Sequence, residues 1–212
     1  MKKKILVACL CVALAVLTIA GTTLAYLTAN DQVVNTFTVG NVQIKLDEAK
    51  ANADGTLVAN ADRVNANSYK LIPGHTYNKD PMVTVLKGSE ESYIKMTVTF
   101  TKAAQLDAIF APDGATLTSI FNGYDSTNWT AKGNTKDTDA NTRTYEFWYK
   151  ETVAAPDSDV ELDALFDSIT VPGNITNDQL SSIAGMTITV NAYAIQADGF
   201  ANAEAAWAAF ED

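Results

Sequence analysis

The sequence has little of what most enzyme active sites are built from. Among 212 residues it has one histidine, His75, and two cysteines, Cys9 and Cys11. A catalytic triad or a Cys/His zinc site needs several such side chains to converge. Phosphate-binding glycine loops and the G-x-S-x-G nucleophile motif are also missing from the sequence. Carboxylates are plentiful, but no pair among them stands out. We therefore predict that the protein is not an enzyme and has no cofactor.

Positive charge is also scarce. The chain has 15 Lys and Arg against 25 Asp and Glu, which gives a formal net charge of -10. Binding to phosphate backbones needs clustered basic side chains. This balance argues against nucleic acid as a partner.

Long apolar runs are confined to the first thirty residues. Three lysines (residues 2–4) precede an apolar stretch over residues 5–20, and Thr23-Leu24-Ala25 has the small residues that signal peptidase recognises. We predict a signal peptide over residues 1–25, cut between Ala25 and Tyr26. The alternative is that this segment is retained as an anchor, since about 20 apolar residues can span a bilayer. It would then be the chain's only contact with a membrane.

Cleavage would change the composition of the working protein. Both cysteines and three lysines leave with the signal peptide, so the net charge falls from -10 to -13 and no disulfide can form. Small extracellular domains of eukaryotes commonly contain disulfides. A secreted chain without cysteine is more typical of bacteria.

Alternating apolar and polar residues dominate the rest of the chain. The clearest run covers residues 93–101, where Ile94, Met96, Val98 and Phe100 share one face. Similar runs occupy residues 37–46 (with a slip at Gly40-Asn41), 81–87, 144–150 and 186–196, separated by polar connections at 47–70 (with Asp54-Gly55 as the strongest hairpin signal), 122–143 and 154–161. This alternation is typical of half-buried antiparallel strands.

Helical spacing is rare. Leu162, Leu165, Phe166 and Ile169 have it, but the extended-looking residues 170–172 follow them. At the C-terminus, Phe200, Ala203, Trp207 and Phe210 repeat at helical intervals after Asn202, a candidate N-cap. We predict a mainly β protein, a single antiparallel β-sandwich domain over residues 37–212 with short helical insertions and a C-terminal amphipathic helix.

Two groups of residues are candidate binding sites. Asp137, Asp139 and Asn141 resemble the first half of a calcium loop, although Thr142 and Trp148 stand where such a loop has its glycine and its last glutamate. The alternative is a solvated acidic loop, and we predict no metal site elsewhere. The second group comprises the aromatic residues Trp129, Tyr145, Trp148 and Tyr149, which form either a sugar-stacking face or a mixture of core and cross-strand contacts.

An Ala-aromatic junction (Ala25-Tyr26) is followed by a spaced pattern at Phe37, Gly40, Val42, Ile44 and Leu46. In these features the N-terminal region resembles the TasA/camelysin family of exported Gram-positive proteins, which a SipW-type signal peptidase matures. Further on, Leu71-Ile-Pro-Gly74 and Lys79-Asp80-Pro81 are similar to the turn that leads into a strand in that family, and residues 165–172 and 192–207 resemble clostridial members. The resemblance implies a jelly-roll-like β-sandwich. It also implies a secreted, SipW-dependent fibre subunit of the biofilm matrix or cell surface.

In such fibres the mature N-terminal segment of one subunit can add a strand to a sheet of the next. Carried onto this chain, the resemblance identifies residues 26–36 as an N-terminal extension and donor strand, with Tyr26, Leu27, Val33 and Val34 as its contact residues. The alternative is that these residues form the first strand of their own sandwich or remain unpaired. The implied partners are further copies of the chain and a second matrix protein.

Two other functions are weighed against this one. The first is a secreted adhesin-like module that binds a glycan or a host protein through its loops or its aromatic residues. The second is the peptidase activity after which camelysin-type members are named. No zinc or nucleophile motif in the sequence supports a peptidase.

Overall fold

The computed structural model describes residues 40–110 and 117–210, and these residues form a mainly β fold with antiparallel sheets and a few short helices. The fold class predicted from the alternating pattern is confirmed at this level. The strands are β1 (Ile44–Asp47), β2 (Thr76–Asn78), β3 (Met82–Val85), β4 (Ser89–Thr101), β5 (Trp129–Asp137), β6 (Thr142–Tyr149), β7 (Val153–Ala155), β8 (Val160–Glu161), β9 (Ser168–Thr170) and β10 (Ile188–Gln196). The helices are α1 (Ala103–Phe110), α2 (Leu117–Ile120), α3 (Asn177–Ser182) and α4 (Ala203–Phe210).

Strand β4 is the centre of the largest sheet. The sheet has the order β10-β4-β6-β5, and β7 pairs with the first residues of β4. The predicted face of Ile94, Met96, Val98 and Phe100 is fully buried. The strand begins earlier than the alternation suggests, because Ser89 and Ser92 pair with β7. Burial of one face of β4 fixes its register, since a slip of one residue would turn all four apolar side chains to the other side.

Two smaller sheets complete the β structure of the described residues. One has the order β1-β3-β8 and the other pairs β2 with β9. Strand β3 begins directly after Pro81, where a proline costs no ladder hydrogen bond. Its Val83 and Val85 are fully buried and belong to the same core as the inner face of β4.

Aromatic rings fill the centre of this core. Phe121 lies between its neighbours, with its ring centroid 4.5 Å from Phe166, 5.2 Å from Tyr145 and 5.8 Å from Phe147. The contacts with Tyr145 and Phe147 are edge-to-face, the arrangement that brings the positive edge of one ring to the negative face of the next. Phe121 follows α2, and Phe166 comes from the segment before β9. These rings therefore join distant parts of the chain.

Three predictions from local sequence were incomplete. Residues 122–143 were predicted as a polar connection, but they contain β5, whose residues after Trp129 are all exposed. Residues 154–161 contain the end of β7 and all of β8. No helix forms over residues 162–169, although the four apolar residues with helical spacing are all buried. An exposed edge strand has no need of alternation, and short strands are fixed by their partners rather than by their own sequence.

The connection over residues 47–70 turns where predicted but does not form a regular hairpin. Gly55 has φ +89°, and the turn is closed by a bond from the Gly55 N–H to the Asn52 carbonyl (2.9 Å). Only single bridges, Ala51 with Leu57 and Glu48 with Val64, follow the turn among the described residues. Long-range polar contacts, described below, hold the rest of this segment.

The predicted C-terminal helix is confirmed as α4. The Asn202 side chain accepts the N–H of Ala205 (2.9 Å), which is the capping bond expected at a helix start. Trp207 is buried against the sheet, with its ring 6.2 Å from Trp148 and the Lys95 Nζ 4.7 Å from its centroid. Helix α4 therefore covers the outer face of β4 and β6 and protects their polar side from solvent.

The N-terminal predictions fall outside the described residues. These are the signal peptide (1–25), the extension (26–36) and the start of the first alternating run. Within the described part of that run, Val42, Ile44 and Leu46 are partly buried and Lys45 is exposed, as the alternation requires. In residues 40–110 and 117–210, no helix is long and apolar enough to cross a membrane.

Candidate functional site

The two outer strands of the large sheet, β5 and β10, differ in how they present their free edges. Every sheet edge has unpaired N–H and C=O groups that can pair with another strand, and proteins block such edges with charges, bulges or short strands. A comparison of the two edges therefore indicates where a further strand could bind.

The β5 edge has the features that prevent pairing. Its register with β6 shifts between Ala131 and Gly133, and Gly133 has φ +121°. Lys132 is the extra residue of this bulge and Lys136 follows it on the same strand, so β5 has two positive charges. A bulge and two lysines together make β5 a poor template for an incoming strand.

The β10 edge has none of these features. Its nine residues pair with β4 in one unbroken register, and the strand contains no charged residue, proline or glycine. Thr101 donates its N–H to the Thr187 carbonyl (3.1 Å) at one end, and Ala197 donates to the Glu91 carbonyl (2.8 Å) at the other. Hydrogen-bonded pairs alternate in an antiparallel ladder, so the odd-numbered residues of β10 are the ones that bond to β4.

The even-numbered residues of β10 consequently direct their backbone groups away from β4. They are Ile188, Val190, Ala192, Ala194 and Gln196. No backbone hydrogen bond in the part of the chain that the structure describes reaches these groups. Strand β1 lies close to β10 but belongs to another sheet. Five N–H donors and five C=O acceptors therefore form a regular row along this edge.

Four of the five side chains of the same row are apolar and only half-buried. Ile188, Val190, Ala192 and Ala194 lie opposite the buried face of β4 and pack against the core, yet each keeps part of its surface exposed. A cavity of about 370 Å³ opens beside Ile188 and Val190, where Leu46 forms the opposite wall. A second cavity lies at the other end, between Gly40 and Gln196. Apolar surface beside unpaired backbone groups is what an added strand would cover.

A cluster of charged side chains forms the wall of the first cavity. Glu48 and Lys79 are buried and form an ion pair of 2.5 Å. Next to them, the Arg63 guanidinium donates from Nε to the Asp47 carboxylate (2.5 Å) and from Nη1 to the Asp80 carboxylate (2.9 Å). Arg63 also donates to the Asp80 carbonyl (2.8 Å). The cluster links residues 47–70 to the start of β3, because the one guanidinium of Arg63 binds the carboxylates of both Asp47 and Asp80.

The Asp47 carboxylate depends on its positive neighbours. Burial acts to raise the pKa of Asp47, but hydrogen bonds and charge from Lys45 and Arg63 outweigh burial and hold this pKa below its ordinary value. Asp47 is therefore ionised at neutral pH, and its charge is part of what fixes the segment.

The residues of the candidate calcium loop form the turn between β5 and β6. The Asp137 carboxylate accepts the N–H groups of Asp139 and Ala140 (2.9 Å each) and so closes this turn. Asn141 has φ +50°, and its side chain accepts the N–H of Ala104 (2.9 Å) at the start of α1. In the described ranges, no three His, Cys, Asp or Glu side chains are grouped so that they could hold a metal ion.

The four aromatic residues of the proposed stacking face do not lie on one surface. Trp129 and Tyr145 are buried in the core, and Trp129 Nε1 donates to the Asp163 carbonyl (3.1 Å). Tyr149 packs edge-to-face on Trp129 at 5.0 Å. Trp148 is on the opposite face, under α4, with the Lys132 Nζ 3.9 Å from its ring centroid. The group divides into core and cross-strand contacts, the second of the two interpretations given above.

The remaining candidate residues are His75 and the N-terminal set. His75 is exposed in a turn, with its ring centroid 6.4 Å from that of Tyr77. The cleavage residues Ala25 and Tyr26 lie outside the described residues. The same holds for the other donor-strand residues, Leu27, Val33 and Val34.

Two functional features were not identified from the sequence. The strand β10 was predicted, but nothing in a single sequence says which strands end a sheet. One signal was present, since the run over residues 188–196 is the only long strand without charge among the described residues. The Glu48–Lys79 pair was also missed, because its residues are 31 positions apart and each occurs in a segment read as a connection or turn.

Comparison with known proteins gives no assignment. No family model, no curated protein and no solved structure matches this chain.

Proposed function

We propose that this protein is a secreted structural protein, a fibre-forming subunit of the biofilm matrix or cell surface that assembles by β-strand addition. The proposal joins the resemblance to the TasA/camelysin family with one structural observation. That observation is the uncharged, regular edge of β10, whose five outward-facing residues have no backbone partner among the described residues. The function proposed is not enzymatic.

The chemistry of the edge suits an added strand. Backbone hydrogen bonds supply affinity in this mode of binding, and alternate side chains of the added strand enter pockets beside the edge. Here the half-buried Ile188 and Val190 border such a pocket, with Leu46 across from them. The blocked edge at β5 would leave β10 as the preferred acceptor. Each subunit would then accept one strand and donate one, which generates a linear fibre.

The proposed donor is the segment over residues 26–36, released as the mature N-terminus when the signal peptide is removed. Its sequence, YLTANDQVVNT, has apolar residues near both ends and a single charge at Asp31. The segment joins the described domain at Gly40, which lies beside Glu90 and near Gln196 at one end of the β10 edge. Pairing of the segment within its own chain would use the same edge without forming a fibre.

The finer architecture belongs to the same proposal. We infer that the sheet β1-β3-β8 and the large sheet form the two layers of a jelly-roll-like β-sandwich within one domain over residues 37–212. The inference is supported by the shared core, to which Val83 and Val85 contribute from one sheet and the inner face of β4 from the other. Addition of a strand to β10 would extend the large sheet.

Truncation tests the donor strand. A chain that begins at Tyr26 and one that begins at Phe37 would be compared by size-exclusion chromatography and negative-stain microscopy, with circular dichroism as the check of folding. The longer chain is expected to form filaments that depend on concentration, and the shorter chain is expected to stay monomeric. If both chains remain monomeric across pH and salt, or if both form filaments, the proposed donor segment is wrong.

A variant in the acceptor strand tests the other half of the contact. In the chain from Tyr26, Ala192→Pro removes an outward-facing N–H and leaves the hydrogen bonds to β4 intact, a position at which edge strands accept proline. We expect this variant to fold but not to form filaments. Thr189→Ala is the matched control. Thr189 is exposed on the same strand, and its replacement by alanine leaves every backbone N–H of β10 in place. Filaments of normal length from Ala192→Pro would exclude the β10 edge.

A further inference from the structure

Three side chains beside the β10 edge form a row of amine, carboxylate and amide. Lys79 Nζ lies 2.5 Å from Glu48 Oε2. The other oxygen of the same carboxylate, Oε1, accepts a hydrogen bond from Asn67 Nδ2 (3.1 Å). Glu48 therefore bridges a lysine and an asparagine, with one oxygen directed to each.

The row is enclosed by the fold. Lys79 is 8% exposed and Glu48 is 5% exposed, and Asn67 is half-buried. In the ion pairs of Lys45, Arg63, Lys132, Lys136 and Arg143, at least one side chain is more exposed than either of these. The cavity wall next to the row includes the apolar side chains of Leu46, Pro81 and Ile188. Such surroundings disfavour separate charges unless they are paired.

Backbone bonds hold both ends of the row in place. Glu48 and Val64 exchange two hydrogen bonds of 2.8 Å, and the Lys79 N–H donates to the Asp167 carbonyl (3.0 Å). The Asn67 amide is fixed on both sides, since Nδ2 also donates to the Ala49 carbonyl (2.9 Å). Its oxygen, Oδ1, accepts the N–H of Ala51 (2.9 Å). The three groups are consequently presented to one another without freedom to turn away.

We propose that Lys79 and Asn67 are joined by an intramolecular isopeptide bond, formed spontaneously with Glu48 as the proton carrier. Lysine is a nucleophile once it loses a proton, and the carboxylate that touches it can accept that proton. Lys79 Nζ then attacks Cγ of Asn67. The Ala51 N–H stands where charge develops on Oδ1, in the manner of an oxyanion hole.

The reaction balances without any added reagent. The Nζ–Cγ bond forms and the Cγ–Nδ2 bond breaks. Two protons leave Nζ by way of Glu48, of which one converts the Nδ2 group into ammonia and the other converts that ammonia into ammonium. No group is oxidised or reduced, and Glu48 ends as it began. The product is a neutral amide in place of a buried ammonium.

The environment of Tyr69 is consistent with this site. Burial, and next to it the charge of Glu48, raise the pKa of Tyr69 well above its ordinary value. The Tyr69 hydroxyl donates to the Asn78 carbonyl (2.6 Å), directly before Lys79. Tyr69 is therefore half-buried and close enough to Glu48 for the charge of this carboxylate to act on its hydroxyl.

The test is mass spectrometry of the purified full chain. We expect the intact mass to be lower than the sequence mass by one molecule of ammonia. After trypsin digestion, we expect one branched peptide in which residues 64–70 are linked through Asn67 to Lys79 within residues 71–87. A folded protein whose digest contains only the separate, unmodified peptides 64–70, 71–79 and 80–87 would overturn the proposal.

Variants distinguish the cross-link from other losses of ammonia. Lys79→Arg, Asn67→Ala and Glu48→Gln are each expected to restore the full mass, whereas Asn65→Ala and Lys70→Arg, which alter exposed neighbours of the same types, are expected to keep the loss. Cyclisation of Asn67 with its own backbone would also release ammonia. A loss that persists in Lys79→Arg would therefore overturn the proposal. If a variant fails to fold, the presence or absence of the branched peptide in the unaltered chain still shows whether the cross-link forms.

Discussion

At the scale of single residues, the structure depends on a few positions where only glycine fits. Gly55 is the clearest, because it combines φ +89° with close neighbours. A Cβ at this position would lie 2.7 Å from the Thr76 carbonyl oxygen and 2.7 Å from the Tyr77 Cα, both of which are backbone atoms of β2. Gly88 has a similar φ of +84° but open space around it.

This pair of glycines gives a matched prediction. Gly88→Ala is expected to lower the free energy of unfolding by about 1 kcal/mol, the usual effect of alanine at a positive φ. Gly55→Ala is expected to lower it by about 2–4 kcal/mol, since overpacking against backbone adds to the same conformational term. Urea denaturation of the two variants measures the difference. Equal losses would show that the turn is not packed against β2.

At the scale of elements, the long segment between β1 and β2 is held by polar contacts rather than by a ladder. The Arg63 guanidinium joins β1 to the start of β3 through Asp47 and Asp80. Asp80 also accepts the N–H of Ala49 (2.6 Å). Removal of the guanidinium would leave the Asp47 carboxylate buried, with Lys45 as its remaining cation.

We expect Arg63→Ala to lower the free energy of unfolding by about 2 kcal/mol at pH 7, less than for a fully buried pair because Arg63 is 27% exposed. The pKa of Asp47 is lowered in the folded state, so its contribution is present above the ordinary value of 3.8 and is lost as pH falls through the folded value. The difference in the free energy of unfolding between the unaltered protein and Arg63→Ala should therefore become smaller below pH 3.8.

Urea midpoints at pH 7, pH 4 and pH 3 would measure this gap. Lys45→Ala is the control, because the Lys45 side chain is 57% exposed and a surface pair contributes little, about 0–1 kcal/mol. A stability difference that stays constant as the pH falls would contradict the assignment of this difference to the Asp47 carboxylate.

The same scale shows how far the sequence predicts the fold. Strands with one buried face, such as β4, β6 and β10, can be predicted from the sequence, because burial of one face requires apolar and polar residues to alternate. Strand β5 cannot be predicted from the sequence, because its exposed residues follow no pattern and the strand is stabilised by its pairing with β6. Leu162, Leu165 and Phe166 are buried as their apolar character requires, but they lie in a segment without regular structure. Their helical spacing carries no information, because the segment is shaped by contacts with Val83, Pro81 and Asp125.

The candidate site was predictable only in part. Sequence and family resemblance together predict a donor segment, but an acceptor edge is a property of the assembled sheet. The reason is that strand order depends on which distant strands pair, and one sequence does not contain that information. The row of Lys79, Glu48 and Asn67 illustrates the same limit, since no spacing rule links these positions.

At the scale of the whole molecule, the proposed assembly would have to overcome repulsion between acidic copies. Removal of the predicted signal peptide takes the net charge from -10 to -13, and like charges oppose association. The β10 strand adds nothing to this repulsion, because it has no charged residue. A row of backbone bonds with apolar contacts beside it is the means by which an acidic subunit could still polymerise.

Hydrogen exchange tests the proposed strand addition most directly, because the two sets of β10 amides make opposite predictions. The amides of Thr189, Asn191 and Tyr193 bond to β4 and should be protected in both monomer and fibre. The amides of Val190, Ala192 and Ala194 should exchange rapidly in the monomer and become protected only in the fibre. Residue-resolved exchange by NMR or mass spectrometry measures both sets in one experiment. Rapid exchange of Val190, Ala192 and Ala194 in assembled fibres, or protection of all six amides in the monomer, would contradict the account.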